Sequence, residues 1–374
     1  MKVLIFSVST GQGHNIAARA VETCLIEKGA TCVVDDAAFR VSKLIGFATN
    51  KIYALAISAC RFFYGKFYAV AERRKSNSYT PSLTRSINRA IVKNIRLKIE
   101  KEDPDIILCT HPFAAVAVDT VKQKHPFRAK IAGIVTDFTM HPFWEDALRL
   151  DMLFVAHEDL RAEAAAKGFP AEKVICLGIP IQKHHETSLS KKEAKQELDL
   201  DESLPLVLVA SGSMGHGNLL KTLKEIDAAP LPIHIVAVCG TNKKAKRKIQ
   251  RATFQNKITA FGYTDKIPLL MTAAECLISK PGGLSTSEAL AKSLPLLIYD
   301  PIPGHEVRNA AFLEKHGAAL WVKAQKDLLP ALLSVLENDE KKEGMRQAAR
   351  ALQKPTAASD IADALFSLLG NEEA

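Results

Sequence analysis

The chain carries seven cysteines but no Cys-x-x-Cys pair, no uncharged apolar run near the roughly 18 residues of a membrane span, and no phosphate loop closing on Gly-Lys-Ser or Gly-Lys-Thr. Each absence removes a class. Without paired spacing, zinc ribbons and dithiol redox motifs are disfavoured. Cys109, Cys239 and Cys276 sit in apolar strand-like runs, so the thiols read as buried and reduced, as in cytosol. Gly11-x-Gly13 follows an opening strand, but Ile16 stands where a dinucleotide fingerprint needs its third glycine, which argues against a nicotinamide cofactor. No helix-turn-helix, RNP or zinc pattern supports a nucleic-acid partner. The opening Met1-Lys-Val-Leu-Ile-Phe-Ser becomes polar and Gly-rich by Thr10, which reads as a first strand and not a signal peptide.

What is present fits two domains. At 374 residues the chain is too long for one compact core, and 47% hydrophobic with 24% charged residues are globular values. Short β-rich runs alternate with helical patterns: Lys2–Ser7, Thr31–Asp35, Ile106–Cys109, Lys130–Thr136, Met152–Val155 and Val174–Cys176, with helices such as Asn15–Lys28 and Glu158–Lys167 between them. The pattern restarts at Leu206–Ala210 and continues through His234–Val238, Ile258–Phe261, Cys276–Ser279 and Pro295–Tyr299. Gly178-Ile-Pro-Ile and the polar Gln182–Lys192 read as a linker. The expectation is α/β: two facing Rossmann-like doubly wound domains, 1–180 and 181–374, with a ligand cleft at the carboxyl ends of both sheets. A last helix over Ser359–Leu369 is expected, with packing back on the amino-terminal domain as the option such folds often allow.

Charge is unevenly placed. Between Phe39 and Lys98 there are 13 Lys and Arg against one acid, Glu72, a net +12; the whole chain is +9, so the rest carries 9 − 12 = −3. The same stretch holds nine of the 24 aromatics, among them Phe62, Phe63 and Tyr64. Cations mixed with rings suit an anionic membrane surface, and Ile52–Cys60 is too short to span but long enough to lie in the interface. An ordinary core beside solvated basic faces is the plainer alternative.

The loops after strands hold the chemistry. In Lys280-Pro-Gly-Gly-Leu-Ser-Thr-Ser-Glu288, the strand stops at Pro281, Gly282 and Gly283 let a ligand approach the backbone, and a helix begins near Ser285. Glu288 in that helix can accept both hydroxyls of a ribose. Gly304, His305, Glu306 and Asn309 open the next helix and can face hexose hydroxyls. Ser211-Gly-Ser-Met-Gly-His-Gly217 joins a strand to a helix, a junction whose amides and hydroxyls, with Gly212, Ser213 and Met214, suit a diphosphate. Lys280 can neutralise phosphate charge or stay solvated. His14 can be catalytic, a cap or solvated, and Asp137 can be a base or an N-cap. Asp103-Pro-Asp105 has metal-binding Asp-x-Asp spacing but precedes its strand, so it reads as a strand-entry turn.

These motifs resemble glycosyltransferase family 28, and within it the monogalactosyldiacylglycerol synthases and bacterial diacylglycerol glucosyltransferases. The likeness lies in Lys280–Glu288, Ile302-Pro-Gly-His-Glu306, Thr10-Gly-Gln-Gly-His14 and Thr136-Asp-Phe-Thr-Met-His-Pro142 with Trp144, nearly the whole chain. It implies a GT-B fold and an inverting transfer of a hexose from a UDP-sugar to diacylglycerol or a glycosyl-diacylglycerol. With no carboxylate pair in the cleft loops, the transfer is expected to use no metal and no cofactor, positive dipoles and Lys280 stabilising the departing UDP; the resemblance makes Asp137 the preferred general base and His14 its competitor. Phe261, Gly262 and Tyr263 would cradle uracil, and Thr286 would join the donor set. Gly11, Gly13, His141, Trp144 and the Phe62–Tyr64 cluster would face the acceptor or membrane. The expected location is cytoplasmic, on the membrane periphery. His305 stands where the family usually has Gln, and Gln12 where it commonly has Gly, so the donor sugar stays open. A polyprenyl-diphosphate N-acetylglucosaminyltransferase, a sugar-nucleotide 2-epimerase and a non-catalytic UDP-sugar sensor are the rival readings.

Overall fold

The computed structural model describes residues 1–8, 12–37, 82–183, 189–215, 217–230 and 232–370. The chain forms two compact units: Met1–Gln182 with Pro303–His305 and Thr356–Ala374, and Lys183–Ile302 with Glu306–Pro355.

The first unit is built on β1 (Lys2–Ser7), β2 (Thr31–Asp36), β3 (Ile106–Cys109), β4 (Lys130–Ile134), β5 (Met152–Val155) and β6 (Val174–Cys176), a parallel sheet in the order β2-β1-β3-β4-β5-β6. Covered on both faces, such strands must be continuously apolar, and the Ile-Ile-Leu-Cys run of β3 is fully buried. Helix Gly13–Glu27 buries Ala17, Ala18, Ala20, Val21, Cys24 and Leu25, small residues that bring it close to the sheet. The terminal helix Ala357–Gly370 lies against it, adding Ile361, Ala362 and Leu365 to the same core. The last helix thus packs back on the amino-terminal unit, against its first helix. Gly133 in β4 has a steric cause: a Cβ there would come within 2.9 Å of Trp144 and Leu150 side-chain carbons.

The second unit holds β7 (Leu206–Ala210), β8 (His234–Val238), β9 (Lys257–Phe261), β10 (Cys276–Ser279), β11 (Leu296–Tyr299) and β12 (Ala319–Val322), also parallel, in the order β12-β11-β10-β7-β8-β9. Its core gathers Val207, Val209, Ile235, Ile278 and Leu297 with helix residues such as Leu223 and Leu332. Of the strands in this sheet, β12 was not anticipated: it is a four-residue edge strand with two half-buried positions. The other strands match expectation within two residues. β4 ends at Ile134 and not at Thr136, which frees Thr136 for a side-chain contact described below.

In doubly wound sheets ligands collect where the strand order reverses, outside the carboxyl ends. Here the reversals fall between β1 and β3 in one unit and between β7 and β10 in the other. Both are flanked by loops whose motifs the sequence had singled out.

Candidate active site

In the second unit, the reversal point holds a cavity of ≈ 280 Å³ lined by Ser211, Gly217, Asn218, Lys280, Tyr299 and Asp300 among others. The loop after β7 is locked from behind. A Cβ on Gly215 would sit 2.2 Å from the Cys239 carbonyl oxygen, and one on Gly240 would sit 2.3 Å from that of Ser213, so both positions exclude any larger residue. The Thr241 N–H donates to the Ser213 carbonyl (2.9 Å) and the Asn242 amide to that of Gly215 (3.0 Å). Gly212 and Gly217 lie exposed on the front, with φ of 74° and 108°. Gly240 was missed by sequence reasoning; Cys239-Gly240-Thr241-Asn242 directly after a strand was the available signal.

The loop after β10 differs. Gly282 has φ −67°, open to any residue, and a Cβ there would meet nothing within 4 Å. The fold therefore does not require this glycine, whereas a ligand lying on the backbone would. Helix Gly283–Ala291 follows immediately, with Ser285 half-buried and Thr286 and Glu288 buried. Thr286 Oγ1 is buried and has no hydrogen-bond partner among the described residues. Glu288 lies in the second turn, one turn into the helix as expected, although the helix starts two residues earlier than Ser285. Lys280 is half-buried and lines the cavity. At the far side of the sheet, after β9, Phe261 and Gly262 are half-buried and Tyr263 is exposed at 64%.

The hexose loop needs correction. Asn309 is fully buried and its amide donates to the Pro281 carbonyl (3.0 Å), so that group braces the Lys280–Gly283 turn and cannot reach a sugar. Glu306, also buried, accepts the Ile302 N–H (2.6 Å) and fixes the bend before its own helix, His305–Lys315. Gly304 and His305 remain half-buried, Gly304 with φ 101°.

In the first unit, Gly13 opens the helix after β1 and His14 occupies its first turn. His14 Nδ1 lies 2.8 Å from the Thr110 carbonyl oxygen and 2.9 Å from Thr136 Oγ1. A carbonyl can only accept, so Nδ1 carries the proton and Nε2 keeps the lone pair. Burial holds the ring below its ordinary pKa of 6.5, against the nearby Asp137 charge and the Thr110 carbonyl, which raise it. Asp137 follows Thr136 and begins no helix, which removes the N-cap alternative; the next helical turn, Pro142–Asp146, is capped by His141.

A second histidine was overlooked. His111 caps helix Pro112–Lys124 by accepting the Phe113 N–H on Nδ1 (3.1 Å), and its ring meets that of His14 edge to face at 4.6 Å. His141 does the same one strand further on, accepting the Phe143 N–H at 3.2 Å. The tripeptide His-Pro-Phe occurs three times, at 111–113, 125–127 and 141–143, and makes this capping turn at the first and the third, whereas His125 closes helix Pro112–Lys124. That repeat was the signal in the sequence. The Phe113 and Phe143 rings lie 5.0 Å apart, and Phe113 is 51% exposed. Trp144, expected at the acceptor or membrane face, is only 1% exposed and packs over Gly133, so it is a core residue. Gly11, Phe62, Phe63, Tyr64 and most of the basic aromatic stretch lie outside the described residues.

Residues 14–181 match the monogalactosyldiacylglycerol (MGDG) synthase family, and residues 206–365 match the glycosyltransferase family 28 C-terminal domain. The chain belongs to glycosyltransferase family 28. This family 28 chain is 28% identical over 374 residues to a processive diacylglycerol beta-glucosyltransferase of Bacillus cytotoxicus, covering 98% of the chain and 93% of that protein. The protein of that name from Bacillus cereus is 27% identical over 372 residues, with the same coverage. Among solved structures, Acinetobacter baumannii MurG has a TM-score of 0.67 at 15% identity, covering 98% of this chain and 99% of MurG. The calicheamicin glycosyltransferase CalG4 has 0.67 at 12%, covering 100% and 99%. These likenesses carry the fold, which is of the GT-B class.

Proposed function

We propose that this family 28 enzyme transfers a hexose from a UDP-sugar to diacylglycerol or a glycosyl-diacylglycerol, with inversion. The observation that carries the reading is His14: its proton is fixed on Nδ1, its Nε2 lone pair is unengaged among the described residues, and its ring is held neutral by burial. That is the state of a general base. The full-length relatives named as diacylglycerol glucosyltransferases supply the substrate class.

In the proposed step, the acceptor hydroxyl gives its proton to His14 Nε2 as the oxygen attacks the anomeric carbon. The bond from that carbon to the phosphate oxygen breaks, and its electron pair leaves with UDP. The Asp137 charge stabilises the imidazolium that forms, so we assign Asp137 a positioning and electrostatic role and His14 the proton transfer. On the donor side, the exposed glycine amides after β7, the start of helix Gly283–Ala291 and Lys280 face the charge developing on UDP.

We propose no metal. In support, Asp105 of the Asp-x-Asp sequence spends Oδ2 on the Lys2 backbone N–H (2.7 Å) at the amino end of the first sheet, away from the strand ends that carry His14. Saturating EDTA is expected to leave turnover unchanged, whereas a loss restored by added divalent ions would contradict this. We also propose peripheral attachment at the cytoplasmic face of an anionic membrane through the +12 stretch; no helix among the described residues is long and apolar enough to cross one.

The test is to supply UDP-glucose, UDP-galactose and UDP-N-acetylglucosamine separately to the protein on diacylglycerol liposomes with some anionic lipid, and to weigh the lipids by mass spectrometry. A hexosyl-diacylglycerol from one donor is expected. No glycolipid from any donor, with UDP binding demonstrated, would overturn the reading.

A further inference from the structure

His14 and His111 sit edge to face at 4.6 Å, yet they present opposite chemistry. On His14, Nδ1–H points to the Thr110 carbonyl and Nε2 is the acceptor. On His111 the Phe113 N–H occupies the Nδ1 lone pair, so the ring proton must sit on Nε2, which is a donor. Neither Nε2 has a hydrogen-bond partner among the described residues. Both rings are pinned by the same strand end, since Thr110 holds His14 and the next residue is His111 itself. Burial, then the neighbouring His14 and His141, keep the His111 pKa well below the ordinary value of 6.5, so it stays a neutral donor even while His14 carries a proton.

From this pairing we propose that His111 is a substrate-contacting residue. Its Nε2–H donates to a second oxygen of the acceptor while His14 Nε2 receives the proton of the reacting hydroxyl. The unit recognised is then HO–C–C–O. A 1,2-diacylglycerol carries it as the free hydroxyl beside an ester oxygen, and a hexose carries it as the 6-hydroxyl beside the ring oxygen. One donor–acceptor pair therefore accepts both a lipid and a lipid already bearing a sugar, and discriminates against a simple alkanol, which has no second oxygen. The inference rests on the acceptor reading above and adds what selects the acceptor.

Two substitutions separate the cap from the contact. His111→Asn keeps an oxygen in the place of Nδ1 to accept the Phe113 N–H but has no group at the place of Nε2. His111→Gln puts an amide N–H near the place of Nε2 and weakens the cap. Rates are measured for the full chain with dioleoylglycerol and with decanol as acceptors, beside the thermal midpoint. His111→Asn is expected to keep the wild-type midpoint and lose about tenfold in dioleoylglycerol over decanol preference, the effect of one hydrogen bond. His111→Gln is expected to melt lower and keep most of the preference. Preference that follows the midpoint in both variants, or stays at the wild-type ratio in His111→Asn, would overturn the proposal. If the wild-type protein turns over neither acceptor, the transferase reading itself falls, and this inference with it.

Discussion

At the residue scale, the candidate site is governed by which atom of a side chain is already spoken for. Gly282 and Gly215 illustrate the two ways a glycine can be required. A Cβ on Gly215 collides with backbone at 2.2 Å and the residue has φ 64°, whereas Gly282 has room and an ordinary φ. Gly215→Ala is therefore expected to lower stability by several kcal/mol, as overpacking and strain together do. Gly282→Ala is expected to leave the thermal midpoint within error and weaken UDP binding in calorimetry at least tenfold. Equal UDP affinity for Gly282→Ala and wild type would remove the close backbone approach from the account. The lowered pKa of His14 gives a sign as well. Below its pKa His14 is protonated and cannot accept, so kcat/KM should fall on the acid side, with its limb displaced below the ordinary 6.5, and be flat above it. A limb above 6.5 would contradict the dominance of burial over the Asp137 charge at His14.

Elements act here by holding loops. Asn309, in helix His305–Lys315, reaches back to Pro281 and ties the start of one helix to the turn before another. Asn309→Ala leaves that carbonyl short of a buried donor and is expected to cost about 1–3 kcal/mol of stability. A loss of UDP affinity should accompany it, readable in the same calorimetric titration, and unchanged values of both would refute the bracing role. Much of this scale was legible beforehand: β-rich runs punctuated by glycine gave almost every strand, and loops after strands gave the donor motifs. The missed parts share a physical reason. The Asn309–Pro281 bond, the Gly240–Ser213 wedge and the His111–His14 ring pair join residues 28, 27 and 97 positions apart, and periodicity does not report such neighbours. The repeated His-Pro-Phe was visible, but only the turns reveal that His111 and His141 spend the same nitrogen on a cap while His125 closes a helix.

For the whole molecule, two parallel sheets each place a motif-bearing pair of loops at the point of strand reversal, and the last helix returns to the first unit. Buried neutral histidines also make the fold acid-sensitive. His14, His111 and His234 all have pKa values lowered first by burial, so the unfolded chain takes up protons before the folded one as pH falls through 6.5. Stability is highest above that value and declines below it, down to the folded-state pKa values. A midpoint that is flat from pH 7 to 5 would contradict this.

The central claim is that His14 removes the acceptor's proton. His14→Asn tests it most directly, because the asparagine amide can still donate to the Thr110 carbonyl while supplying no base. With UDP-sugar pre-bound and diacylglycerol vesicles added, the single-turnover rate of glycolipid formation is measured beside the UDP affinity. The account predicts a rate lower by about 10²–10⁴ with UDP affinity unchanged. A rate within a few fold of wild type would contradict it and return the proton to Asp137.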